Sequence, residues 1–174
     1  MRRFLLLLAW LAIFLCVPVQ TAALAAEPAK PLTVRAVFEG ELPLAGMRFN
    51  VYRVADRSGG GTWSLEPRFK AYRSRLETQN GDGNAWAALA RVLEKVALMD
   101  EACLPVASAE TDEDGTAVLD ALRPGLYLLS GQSVCVNRQI YTPSPMLIVC
   151  PAECAAEPEL TRSPEKADYS AQIV

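Results

Sequence analysis

Between Thr111 and Leu129 the chain has little conformational choice. It reads as turn, strand, turn, strand. Asp114-Gly115 sits between polar residues and the run Thr116-Ala117-Val118-Leu119. An Asp-Gly pair in that setting marks a tight reversal, because Gly takes positive φ at little steric cost. Pro124-Gly125 is a second reversal, with φ preset by Pro and a left-handed residue supplied by Gly. Leu126-Tyr127-Leu128-Leu129 follows as a short apolar run suited to a buried strand.

The same grammar extends upstream. Leu32, Val34, Ala36 and Phe38 alternate with polar residues except at Val37, which predicts a half-buried strand. Gly40 to Gly46, with Pro43 inside, predicts a turn. Met47, Phe49 and Val51 begin a second strand that runs on to Val54. Ser58-Gly59-Gly60-Gly61 reads as a loop tip. From Trp63 to Leu76 no single period fits, so a strand or irregular stretch leads into a short helical turn. Asn84 is the expected N-cap of an amphipathic helix over residues 85–99, with Trp86, Leu89, Leu93 and Val96 on one stripe.

Beyond Cys103, further short strands are expected at 106–110, 116–119, 126–131 and 146–149. A hairpin turns at Asn137-Arg138. After Pro151 the chain becomes polar and proline-containing, with one edge strand expected near Tyr169. Many short strands with Gly and Pro turns predict a mainly-β fold, a β-sandwich with one inserted helix at an end or edge. The sandwich domain is expected over 32–151 and a polar C-terminal segment over 152–174.

Arg2-Arg3, the apolar run from Phe4 to Val19 and the small residues Ala23-Leu24-Ala25 read as a cleavable secretory signal over 1–25. The run falls short of the roughly 20 residues that span a bilayer. No later segment is apolar enough to cross one. Export leaves roughly 150 residues, enough for one domain with a real core. The chain carries 17 Lys and Arg against 20 Asp and Glu. It has no basic patch of the kind that binds nucleic acid.

Four cysteines remain after the signal: Cys103, Cys135, Cys150 and Cys154. An even count in an exported chain reads as disulfides, and four cysteines allow three pairings. Cys150 with Cys154 would close a local loop and leave Cys103 with Cys135. A four-thiolate zinc site is the rival, but there is no paired Cys-x-x-Cys. Histidine is absent. That removes Ser-His and Cys-His hydrolase chemistry and the commonest metal ligand.

Asp112-Glu113-Asp114-Gly115 resembles the start of a calcium loop, yet Arg123 stands where the closing Glu belongs. A hairpin turn is the better account. Glu94 and Lys95 read as a solvated helix face. Trp86 belongs to its helix's apolar stripe and hence to the core. Trp63, beside the Gly-rich loop, is the candidate ligand contact. No catalytic residue, metal or cofactor is expected.

Three segments carry a family resemblance. Leu44-Ala45-Gly46-Met47-Arg48-Phe49-Asn50-Val51-Tyr52 is similar to the opening of Cna B-type, or SpaA-like, domains of Gram-positive surface proteins. Thr111-Asp112-Glu113-Asp114-Gly115 through Pro124-Gly125-Leu126-Tyr127 is similar to their second half. Tyr141-Thr142-Pro143-Ser144-Pro145 and the apolar run to Pro151 resemble the closing strand of pilin-like members. The insert from Trp86 to Val96 looks like that of small clostridial pilin-related proteins. The resemblance implies a prealbumin-like sandwich in a structural or adhesive, non-enzymatic protein, secreted or wall-associated. Other pilus subunits, or a surface protein or glycan, would be its partners. The alternative is a secreted binding module that uses loops at one end of the sandwich, residues 58–63 included.

Many members of that family carry a Lys to Asn or Asp isopeptide bond, for which the Lys must be buried and neutral. This chain offers Arg35 in the first strand, and guanidinium does not deprotonate. No Asn follows Asn137, which leaves Asp168 as a nominal acceptor. The strand Leu126-Tyr127-Leu128-Leu129-Ser130-Gly131 lacks the family's Glu. The expectation is a domain without an isopeptide bond, reinforced by disulfides. The last residues, Ala167 to Val174, hold no sortase signal. Release, retention by other proteins or a shortened sequence would each account for that.

Overall fold

The computed structural model describes residues 30–57, 62–78, 82–150 and 155–165, with Lys30 and Ala121 as backbone alone. The expected signal, the 58–61 loop tip, Cys154, Asp168 and the strand expected near Tyr169 lie outside these residues.

The elements follow in chain order. Strands β1 (Lys30–Arg35), β2 (Val37–Phe38), β3 (Leu42–Pro43), β4 (Arg48–Arg57) and β5 (Trp63–Leu65) come first. A 3₁₀ turn at Pro67–Tyr72 leads into helices α1 (Arg73–Thr78) and α2 (Gly83–Met99). Then come β6 (Ala107–Glu110), β7 (Thr116–Leu122), β8 (Gly125–Gly131), β9 (Val134–Val136), β10 (Gln139–Pro143), β11 (Met146–Cys150), β12 (Ala155–Ala156) and β13 (Leu160–Pro164).

The main sheet runs β11-β8-β4-β5, with β6 also paired to β4. A second sheet runs β12-β1-β7, a third runs β13-β10-β9, and β2 and β3 form a short hairpin. The fold is mainly β, several sheets packed as a sandwich with a helical insert.

β8 explains the layering. All of Gly125 to Ser130 is buried, and successive side chains serve opposite faces. Tyr127 and Leu129 enter a core shared with Leu32 and Val34 of β1 and Leu119 of β7. Leu126 and Leu128 enter another, shared with Phe69, Leu76, Leu89 and Leu93. Each large apolar side chain fully buried this way contributes about 1.5–3 kcal/mol. β4 divides likewise: Phe49 and Val51 face the first core, Tyr52 and Val54 the second. Its pairing to β8 shifts between Arg53 and Ala55, which marks a bulge.

The helical segment therefore covers a face of the main sheet, not an end or edge as the sequence suggested. A strand as apolar as β8 must be covered on both sides. α2 also starts earlier than expected. Asp82 is its N-cap, accepting from the Asn84 amide at 3.0 Å, so Asn84 lies inside the helix. No helix among the described residues is long and apolar enough to cross a membrane.

The break in alternation at Val37 marks a change of direction. Ala36 donates its amide to the Gly115 carbonyl and accepts from the Leu44 amide, and the chain turns there into the β2–β3 hairpin. Asn137 and Arg138 both take positive φ (50° and 61°), as the tight turn between β9 and β10 requires. β12 pairs parallel with β1, and β13 pairs antiparallel with β10. The stretch after Pro151 thus contributes to two sheets.

Candidate functional site

The three segments that carried the resemblance meet in space. Thr111, just past β6, donates its hydroxyl to the Leu44 carbonyl at 2.5 Å and accepts the Met47 amide at 2.9 Å. Its backbone carbonyl takes the Gly46 amide and its own amide reaches the Met47 carbonyl. One residue therefore fastens the second segment to the first. Gly115 lies against the same place with φ +73°, where an added Cβ would stand 2.5 Å from the Ala36 carbonyl oxygen. Only a residue without a side chain fits.

The Asp112 carboxylate is engaged by the turn itself. Its Oδ1 accepts from the amides of Asp114 (3.0 Å) and Thr116 (2.8 Å). Its backbone amide donates to the Thr116 carbonyl, and the Gly115 amide donates back to Asp112. The calcium-like spelling has become an Asx-type hairpin turn.

At the cross-link positions of the resemblance, the inward residues of β1 are Leu32 and Val34, both fully buried, while Arg35 is exposed and pairs with Glu157 at 3.8 Å. On β8 the inward sequence Tyr127, Leu129 continues to Gly131. A Cβ there would meet the Pro143 ring and lie 2.7 Å from Phe49 Cε1. Among the described residues, the buried polar side chains are Thr111 and Ser130. Ser130 donates to Glu94 at 2.5 Å. Glu94 thus supports the sheet–helix contact rather than lying on a purely solvated face.

The cysteines lie apart. Cys103 is half-buried against the helical core and Cys135 is exposed on β9. These two are free thiols, so the Cys103–Cys135 pairing is not made. They flank different layers, and disulfide geometry needs Cα atoms within about 7 Å. Cys150 is buried in the sandwich core. Burial pushes the Cys103 thiol above its ordinary pKa, with the Arg68 guanidinium pulling the other way. Cys103 lines a pocket of about 370 Å³ with Arg68, Glu66, Leu104 and Val106. Arg68 is held there by Asp100 at 2.6 Å.

Trp63 and Trp86 are both half-buried against the helical core. Trp63 stands on β5, and its carbonyl accepts from Arg73. A larger groove, about 780 Å³, was not foreseen from the sequence. It lies between the β2–β3 hairpin and the β12–β13 stretch, lined by Arg35, Phe38, Glu39, Glu157, Leu160 and Arg162. The Arg162 guanidinium sits 5.1 Å from the Phe38 ring centre, and Phe38 meets Tyr141 edge-on at 5.1 Å. Arg162 is thus held against Phe38, Phe38 against Tyr141, and Arg35 against Glu157.

No family model and no curated protein matches the chain. Among solved structures it is similar to the major pilin SpaD of Corynebacterium diphtheriae, at 19% identity and a TM-score of 0.47. That alignment covers 82% of this chain and 32% of SpaD, so the chain spans about a third of that pilin. The basal pilin SpaB of Lactobacillus rhamnosus GG is similar at 15% identity and a TM-score of 0.46, covering 77% of this chain and 98% of SpaB. The major pilin SpaA of Corynebacterium diphtheriae is similar at 22% identity and a TM-score of 0.41, covering 76% of this chain and 30% of SpaA.

Proposed function

We propose that the chain is a non-enzymatic structural module of the bacterial surface, a pilin-like subunit that works without an intramolecular isopeptide bond. The observation that carries this reading is the Thr111 clamp. It joins the Leu-Ala-Gly segment to the Asp-Gly segment through four hydrogen bonds, two of them from the side chain. These bonds extend the β4–β6 pairing and pin the loop that enters β4, a rigid junction of the kind a structural subunit would use. The Arg2-Arg3 n-region and apolar run support export. In this reading the domain stands without a Cys103–Cys135 disulfide, both thiols being free. Other pilus subunits are the partners that this reading favours.

The test is fractionation of the native host, followed by boiling, reduction and denaturing electrophoresis. A ladder of high-mass species in the wall fraction is expected. A single monomer band in the medium would overturn the pilus reading. It would favour a released module that engages a host protein or glycan through the end loops beside Trp63.

A further inference from the structure

The edge of β1 that faces β12 runs out of partner where β1 gives way to β2. The Ala36 amide donates to the Gly115 carbonyl at 2.8 Å, and Arg35 stands opposite Thr116. In an antiparallel ladder a pair flanked by such a bond is a non-hydrogen-bonded one, so the backbone groups of Arg35 point away from β7 and toward β12. The parallel register of Thr33 with Ala155 and Val34 with Ala156 would bring the amide of residue 158 to the Arg35 carbonyl. Residue 158 is proline, which has no amide to give. One step on, the carbonyls of Ala36 and Phe38 accept from the Leu44 and Glu41 amides, on the β3 side. Val37 lies between them. Its amide and carbonyl therefore point the opposite way, and neither meets a partner among the described residues.

The groove of about 780 Å³ opens on this same edge, because the chain beyond Ala156 leaves β1 on its way to β13. Arg35 and Val37 line it together with Leu160 and Arg162 of β13, so the space beside Val37 is unfilled. Its volume lies within the roughly 300–1,000 Å³ of sites that enclose a ligand. Phe38 and Leu160 give it half-buried apolar surface. The lining holds three Glu against two Arg. Arg35 is engaged by Glu157 at 3.8 Å, and Arg162 rests on the Phe38 ring at 5.1 Å. Glu39 and Glu159 are exposed and make no ion pair among the described residues. Unpaired backbone along an extended edge selects another extended polypeptide. The acidic balance selects a basic one. A second copy meeting groove to groove would bring its own Glu39 and Glu159 to the same place, which is unfavourable.

We infer that the groove between the β2–β3 hairpin and β13 is an acceptor for an extended segment of a partner polypeptide in which apolar residues alternate with Lys or Arg. The segment continues the pairing that β12 begins and Pro158 stops. It donates to the Arg35 carbonyl and exchanges hydrogen bonds with the Val37 amide and carbonyl. Its apolar side chains cover Phe38 and Leu160, and its basic ones meet Glu39 and Glu159. This inference does not rest on the pilus reading, since a released module would keep the same groove.

The experiment is residue-resolved amide exchange on the exported chain, with a capped Val-Lys-Val-Lys-Val peptide as the probe. The controls are Val-Glu-Val-Glu-Val and the Lys peptide N-methylated at every residue. At millimolar concentration the Lys peptide should slow exchange at Val37 by about tenfold. The Ala36 amide, already bonded to Gly115, should not change, and its protection reports that each variant is folded. The N-methylated peptide should give no protection, because it has no amides to donate. The double variant Glu39→Lys, Glu159→Lys changes two exposed side chains and should reverse the preference between the Lys and Glu peptides. No slowing at Val37 with the Lys peptide would overturn the site. Equal slowing by the N-methylated peptide would overturn strand addition, and equal slowing by the Glu peptide would overturn the basic partner. Slowing without peptide that rises with protein concentration would make a second copy the occupant and overturn the inference as stated. Slowing by a neutral oligosaccharide but not by the Lys peptide would make the groove a glycan site and overturn it likewise.

Discussion

The Phe49 ring occupies the space that any side chain at Gly131 would need. A Cβ at 131 would lie 2.7 Å from Phe49 Cε1, far inside van der Waals contact. The same position continues the inward row Tyr127, Leu129 of β8, and the Pro143 and Phe49 rings fill the space a side chain there would take. Gly131→Ala should destabilise the fold by about 1–3 kcal/mol, as overpacking does. Gly131→Glu should cost more, because it also buries a charge. Urea midpoints at unchanged m-value will measure both, and a Gly131→Glu midpoint equal to that of the parent would refute the packing argument.

The Thr111 clamp should be sensitive to the loss of one hydroxyl. Thr111→Val keeps the shape but leaves the Leu44 carbonyl and the Met47 amide without their side-chain partner. The expected loss is about 1–3 kcal/mol. Thr111→Ser retains the hydroxyl and should lose less. Chemical denaturation of the pair separates the hydrogen bonds from the methyl packing.

Gly115→Ala tests the turn at a position where φ is +73° and the new Cβ faces the Ala36 carbonyl. The change should cost more than about 1 kcal/mol, opposite in sign to the usual gain from Gly→Ala at a compatible site. Thermal unfolding shows the sign directly.

With Leu32 and Val34 filling the inward face of β1, no isopeptide bond is expected. Intact mass of the purified chain should equal that of the sequence after signal removal, without loss of an ammonia (Asn acceptor) or a water (Asp acceptor). The thiols give a second reading of the same sample. Exposed Cys135 should react with a maleimide quickly, and half-buried Cys103 slowly. Equal slow rates at both would contradict the exposures.

Alkaline pH should weaken the fold. Burial raises the pKa of Cys103, Tyr52 and Tyr127, each opposed or reinforced by neighbouring charges, with Arg53 pulling Tyr127 down. In the folded state these groups hold their protons more tightly than in the unfolded chain. Their contribution is therefore complete below the unfolded values, about 8.5 for a thiol and about 10 for a phenol, and is lost as pH rises through the folded ones. Urea midpoints should fall between pH 8 and 11 on this account. Tyr127→Phe should flatten part of that fall, while also losing the hydroxyl bond to the Arg123 carbonyl at 2.8 Å.

Most of the strands were legible from local signals. Asp114-Gly115 and Pro124-Gly125 set the turns on either side of β7, and alternation placed β1 and β4. The stripe of Leu89 and Leu93 identified α2. Asp82 and Asn84 are both capping residue types, and only the hydrogen bond from the Asn84 amide to Asp82 makes Asp82 the cap. β12 and β13 leave no local signal, because strands of two and five residues amid prolines carry little periodicity. They are strands because β1 and β10 offer edges to them.

Local sequence determined where this chain turns, which residues are apolar enough to be buried, and that no histidine chemistry is available to it. Those are properties of single residues and their near neighbours. Tertiary structure decided the rest. It placed the helices over a face of the main sheet, and it kept Cys103 and Cys135 apart. It also filled the Gly131 position with Phe49. Each depends on which distant segments share a layer, and close packing between them fixes a geometry that no local pattern encodes.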